Sequence, residues 1–156
     1  PYRIEKIQWE YGEEYGHVAY PRNIDDVRDT IVRLECLASE KGYPFYIEIY
    51  FRDGYYVGLI VGHELSSFWF AAPAQDSLET LQHSQLDLHF DGQKHSDEWL
   101  EYSFMADHGE TPLANTLPKY QAFEAFWQFL QTNTLPSWIK LTRSEFVDRY
   151  VVDTPG

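Results

Sequence analysis

The stretch "YPFYIEIYFRDGYYVGLIVG", residues 43–62, decides how the chain reads. Two runs rich in β-branched and aromatic residues flank Asp53-Gly54, a pair that favours a tight type I′ turn, so the segment is expected to form a β-hairpin. A two-residue loop would set Phe51 opposite Tyr56, Ile49 opposite Gly58, Ile47 opposite Ile60 and Glu48 opposite Leu59. That register puts Gly58 and Gly62 on the face of Ile47 and Ile49, as a floor for a helix. Both faces are largely apolar, which places the two strands inside a sheet. Glu48 is the exception, a carboxylate between Tyr46 and Tyr50. It is either a buried functional acid or part of a tyrosine-lined face for a partner. Phenol hydroxyls alone can satisfy one carboxylate, so the second reading is the stronger.

Upstream, "NIDDVRDTIVRLECLASEK" (23–41) has the periodicity of an amphipathic helix, with Ile24, Val27, Ile31, Leu34 and Ala38 on one side. Asn23 is placed to cap it, Asp25 and Asp26 suit its positive start, and Gly42 ends it. Cys36 lies inside this pattern and reads as a small buried hydrophobe. A first strand is expected over 2–11, and a short second one in "HVAYP" (17–21).

Downstream, "LSSFWFAA" (65–72) is expected to be the third strand of the meander, closed by Pro73. "LDLHF" (86–90) and "EWLEYSFM" (98–105) read as a second hairpin, and "ADHGETPLANT" (106–116) as a loop. A second helix follows in "LPKYQAFEAFWQFLQTN", capped by Thr116 with Pro118 in its first turn. Its apolar face takes Tyr120, Phe123, Phe126, Trp127 and Leu130, widened by Ala122 and Phe129. "LPSWIKLT" reads as a last strand. Residues 143–156 read as a loosely attached tail or a short helical turn. The whole, 1–156, is expected to be one α+β domain, a mostly antiparallel sheet of five to seven strands with two main helices packed on it.

Charge bounds the function. Of 156 residues, 12 are Lys or Arg and 25 Asp or Glu, a formal net charge of −13. Such a chain repels phosphate backbones and anionic membrane surfaces, so neither nucleic acid nor a membrane is an expected partner. A basic protein fits better. One cysteine excludes an internal disulfide. The first residues carry no apolar leader segment and no run nears the ~20 apolar residues of a membrane helix, so a cytoplasmic location is expected.

No catalytic or cofactor motif stands out. His83, His89 and His95 are six apart, unlike the usual spacing of zinc ligands, and read as surface histidines. Asp87, Asp91, Asp97, Glu98 and Glu101 crowd one region, but an acid-rich chain produces such clusters by chance. Ser66 and Ser67 lack a nucleophile-elbow context, and there is no phosphate-binding loop. Neither a metal nor a cofactor is therefore expected. What remains is acid interleaved with aromatics in "LDLHFDGQKHSDEWLEY". Asp87, Asp91, Asp97, Glu98, Trp99, Glu101 and Tyr102 read as a partner surface or as an ordinary solvated hairpin, with Tyr46, Glu48 and Tyr50 as a second candidate surface.

The order of helix, apolar strand, Asp-Gly turn, "YVGLIVGHELSSFWF" and "AFEAFWQFLQTNTLPSWIKL" resembles the first immunity-protein family of bacterial polymorphic toxin systems. Gly58 and Gly62 match the family's G-x-x-x-G element. Ala122, Ala125, Phe129 and Pro136 match its C-terminal helix, turn and strand. Asn133 stands where Gly is usual, and Leu141 where Trp is usual. The resemblance spans about residues 24–142, and its motifs are packing and turn features. It implies a non-enzymatic protein that neutralises a cognate toxin, made by the same cell or its kin, by stoichiometric occlusion. Such toxins are often nucleases or deaminases with basic substrate grooves, which suits the −13 charge. Two alternatives stand beside it: a small sheet-pocket enzyme using Glu48, and an acidic scaffold domain.

Overall fold

The computed structural model describes residues 3–11, 14–71, 83–88, 98–104, 107–141 and 150–151. Within them the chain is an α+β fold. A hairpin of β1 (Ile4–Tyr11) and β2 (Glu14–Ala19) leads into α1 (Ile24–Lys41). The meander β3 (Phe45–Phe51), β4 (Tyr56–Val61), β5 (Leu65–Ser66) and β6 (Phe68–Ala71) follows. Then come β7 (His83–Leu88), β8 (Trp99–Phe104), β9 (Asp107–Pro112), a 3-10 turn at Leu113–Asn115, β10 (Leu117–Pro118), α2 (Lys119–Thr132) and β11 (Ile139–Leu141). Seven strands run in the order β11-β7-β6-β4-β3-β1-β2; β8 and β9 branch from β3, making nine, and β10 pairs β5 separately.

Helix α1 forms where its ends are capped. The Asn23 side chain accepts the Asp26 N–H at 2.9 Å, and Gly42 closes the helix at φ 79° with its N–H on the Ala38 carbonyl. Val27, Ile31, Leu34 and Ala38 are buried as expected. Cys36 is exposed, contrary to expectation; two residues on from Leu34 is about 200° around the helix, away from the buried stripe.

Helix α2 differs from expectation at its start and in its phase. It begins at Lys119, with Pro118 at its cap and in β10. Thr116 does not cap it: that hydroxyl donates to the Leu113 carbonyl at 2.7 Å. Tyr120 is 76% exposed, and the buried stripe is Ala122, Ala125, Phe126, Phe129 and Leu130. Tyr120 lies about 200° around the helix from Ala122 and so falls opposite that stripe. Asn133 adopts the left-handed cap, φ 58°, its N–H on the Phe129 carbonyl. Arg3 donates to the Phe129 and Leu130 carbonyls at 3.2 and 2.9 Å, lying over the Phe51 and Phe129 rings.

The decisive hairpin forms, with β3 and β4 both interior, but in another register. Phe51 N–H bonds the Tyr55 carbonyl, and Gly54 N–H bonds the Phe51 carbonyl. The loop is therefore Arg52-Asp53-Gly54, a tight turn followed by a left-handed glycine at φ 91°. Glu48 pairs with Gly58 instead of Leu59, Ile49 with Val57, Ile47 with Leu59 and Tyr50 with Tyr56. A one-residue slip exchanges every facing pair.

Both helices cover one face. Phe45, Ile47, Ile49 and Phe51 of β3, Val57, Leu59 and Val61 of β4, and Phe68 and Phe70 of β6 form the main core with the helical stripes. Gly62, at φ 91°, lies tight against α1: an added Cβ would lie 2.2 Å from the Ala38 Cβ. Tyr150 stacks on Phe51, ring centres 4.8 Å apart, and packs against this core.

Two further expectations are corrected. Within the described part of the expected second hairpin, residues 86–88 and 98–104 do not pair with each other: β7 lies between β6 and β11, and β8 pairs β9. Residues 107–112, read as loop, are that partner strand β9.

Candidate functional site

The face of the sheet away from the helices carries the candidate site. Alternation along β3 sends Tyr46, Glu48 and Tyr50 there together. Neighbouring strands bring Gln8 beside Glu48 and Lys6 beside Tyr50 from β1, and Gly58 and Tyr56 from β4. Trp69 of β6 lies next to Gly58.

Gly58 explains how the aromatics fit. Tyr46 and Trp69 stack with ring centres 4.9 Å apart and planes 3° from parallel. A Cβ on residue 58 would lie 2.3 Å from Tyr46 Cε2 and 2.7 Å from the Trp69 ring. The glycine thus makes room for a stacked pair on the outer face, and does not floor a helix. Leu100 and Tyr102 of β8 close over the pair. Strand β8 reaches there because it runs parallel to β3 at Phe45 opposite Ser103, where β1 has parted from β3 beyond Ile47. The Tyr102 ring lies 6.0 Å from that of Tyr46 and 5.9 Å from that of Trp69.

Glu48 sits at the margin of this cluster, half-buried. Its Oε2 accepts from the Tyr50 hydroxyl at 3.1 Å and, longer, from the Tyr46 hydroxyl at 3.4 Å. Burial raises its pKa above the ordinary carboxylate value, with Glu10 of β1 adding to the rise; the phenol bonds and Lys6 oppose it. Burial and the Glu48 charge push Tyr56 up to about 12 and raise Tyr50 and Tyr46 as well. The phenols therefore stay protonated and serve as donors. Lys6 Nζ lies over the Tyr50 ring, 4.9 Å from its centre, and the Tyr50 and Tyr56 rings are 5.0 Å apart.

The second candidate group divides. Trp99 and Glu101 point away from the sheet on β8, Trp99 56% exposed and Glu98 and Glu101 exposed. Tyr102 turns inward to the cluster just described. Across the β8–β9 ladder Trp99 faces Pro112, and Glu101 faces the exposed Glu110. Asp87 belongs to a different strand, its backbone on β7 paired with Lys140 of β11. Asp91 and Asp97 lie outside the described residues, as do His89 and His95. The acidic stretch is thus not one hairpin surface; the part of it at hand is Glu98, Trp99 and Glu101.

Sequence reading found Tyr46, Glu48 and Tyr50 but missed Lys6, Tyr56 and Trp69. These come from other strands, and the one-residue register error placed Tyr56 opposite Phe51. Among the described residues no group of three or more His, Cys, Asp and Glu could hold a metal ion. Ser66 is structural, its hydroxyl donating to the Ile60 carbonyl at 2.7 Å in the interior. No helix among the described residues is long and apolar enough to cross a membrane. No protein-family model, no curated protein and no solved structure matches the chain.

Proposed function

We propose that this protein is an immunity protein, a stoichiometric inhibitor that binds a basic bacterial toxin domain and blocks its substrate groove without turnover. The observation that carries the reading is Trp99, more than half exposed on β8 between Glu98 and Glu101. Large aromatics anchor protein interfaces, and carboxylates around them steer basic partners. The net charge of −13 extends that steering to the whole molecule. The likeness of the helix, hairpin and C-terminal helix to an immunity family points the same way. A nuclease or deaminase groove that binds phosphates is the expected target, and the cytoplasm the expected place of action.

The test is titration against the purified toxin domain encoded beside this gene. One-to-one binding tighter than micromolar is expected, with association slowing steeply as salt rises. Trp99→Ala should weaken binding by about 30-fold or more, as interface anchors do, while leaving stability within about 0.5 kcal/mol, as surface substitutions do. A neighbouring product that is toxic yet not bound would sink the reading.

A further inference from the structure

The two oxygens of Glu48 have different surroundings. Oε2 takes both phenol hydrogens, from Tyr50 and Tyr46. Among the described residues Oε1 takes no hydrogen bond, and it is not among the polar atoms sealed inside without a partner, so it reaches the surface. The carboxylate is thus fixed on one side and open on the other. Its walls are aromatic: Tyr50 and Tyr56 stand beside it with ring centres 5.0 Å apart. Lys6 lies over the Tyr50 ring, and its charge already acts on Glu48. A half-buried carboxylate oxygen gains more from a charged donor than from a neutral one.

From this we infer that Glu48 is the seat for an arginine side chain of the bound protein, whose guanidinium would bond Oε1 and pack beside the half-buried Tyr50 side chain. Arginine fits better than lysine because its flat, weakly hydrated fork stacks on aromatic faces while donating in its own plane. The chain's negative charge favours the same occupant. The inference rests on the proposed inhibitor function. It adds a specific anchor next to the region that β8 covers, where Tyr102 meets Tyr46.

Two measurements separate the seat from the function. In the first, the full chain carries carboxyl-labelled glutamate and is titrated with N-acetyl-arginine methylamide, then with the lysine analogue. The Glu48 resonance, assigned by its loss in Glu48→Gln, should shift saturably, and at lower concentration with the arginine compound. The Glu48→Gln chain should fold, because an amide oxygen still accepts from both phenols; Tyr50→Leu, which removes a wall, should weaken the shift independently. A resonance that does not move, or moves alike with both compounds, overturns the inference. In the second, Glu48→Gln should raise the Kd for the neighbouring toxin about 10- to 100-fold, the size of a hydrogen bond to a charged group. A toxin bound equally well by wild type and Glu48→Gln overturns the seat and leaves the inhibitor function standing. A seat that takes the arginine compound in a chain that binds no toxin supports the seat and removes that function.

Discussion

Along β3 the two faces of one strand are built from opposite materials. Phe45, Ile47, Ile49 and Phe51 go under the two helices, and all four are at most 1% exposed. Tyr46, Glu48 and Tyr50 go to the other side, where the cover is the β8–β9 hairpin. The first face is a core of apolar side chains with rings in contact, Phe129 5.1 Å from Phe70 and 6.3 Å from Phe51. A charged neighbour, Arg3, lies over the Phe51 and Phe129 rings with its N–H groups on helix carbonyls. The second face holds a carboxylate that accepts from two phenols, with a lysine over one of their rings. The inner face can do little but stabilise the fold, since its groups have no chemistry to offer and no access. The outer face keeps a half-buried carboxylate whose one oxygen is held by two phenols while the other faces outward.

Removing a ring from the inner face should have the largest effect. Phe129→Ala empties a site bounded by Phe51, Phe70 and the Arg3 guanidinium. The expected loss is about 3–5 kcal/mol in urea unfolding at neutral pH, transfer and cavity terms together. A loss below about 1 kcal/mol would mean the helices rest loosely on the sheet, and the contrast between the faces would collapse.

How much of this contrast was legible in the sequence depends on range. Helix α1 was readable, Cys36 apart, because its signals are local: Asn23, the acidic first turn, each step of the stripe of four buried residues and Gly42 act on groups within about a turn of themselves. The hairpin was readable in place but not in register. Asp-Gly serves a two-residue loop and also a three-residue loop with glycine left-handed, and Tyr55 and Tyr56 are alike as partners for Phe51. Strand β9 was hidden because "DHGETP" has a loop's composition; it is a strand because β8 offers it an edge. The same limit divides the site. Tyr46, Glu48 and Tyr50 follow from period-two alternation on one strand, whereas Lys6, Tyr56 and Trp69 join them only through pairing between strands.

The glycines sharpen the comparison at intermediate size. Gly62 admits α1 on the inner face and Gly58 admits the Tyr46–Trp69 stack on the outer one. Gly58→Ala should cost about 1–3 kcal/mol by overpacking, and near-ultraviolet circular dichroism should report a disturbed Trp69. The neighbours cannot easily give way, because Leu100 and Tyr102 close over the stack. An alanine tolerated without loss would show the outer cluster to be plastic, and would weaken the case that it holds Glu48 in one place.

The smallest effect is a slope, and it bears on Glu48 alone. Burial raises its pKa above the ordinary value of 4.5. The folded chain then holds this proton more tightly than the unfolded chain. Between the unfolded and the raised folded pKa, Glu48 therefore makes stability fall as pH rises. Above the folded pKa the cost of the buried charge is fully present; below the unfolded value it is absent. Glu48→Gln never carries that charge, so the variant's stability relative to wild type should climb through this window and level off above it. Urea unfolding of both chains across the acidic range measures the difference, in which the other carboxylates, common to both, cancel. A difference flat in pH would mean Glu48 is hydrated like any surface acid. The outer face would then be an ordinary solvated sheet surface, and the inner face the only part of β3 under strong constraint.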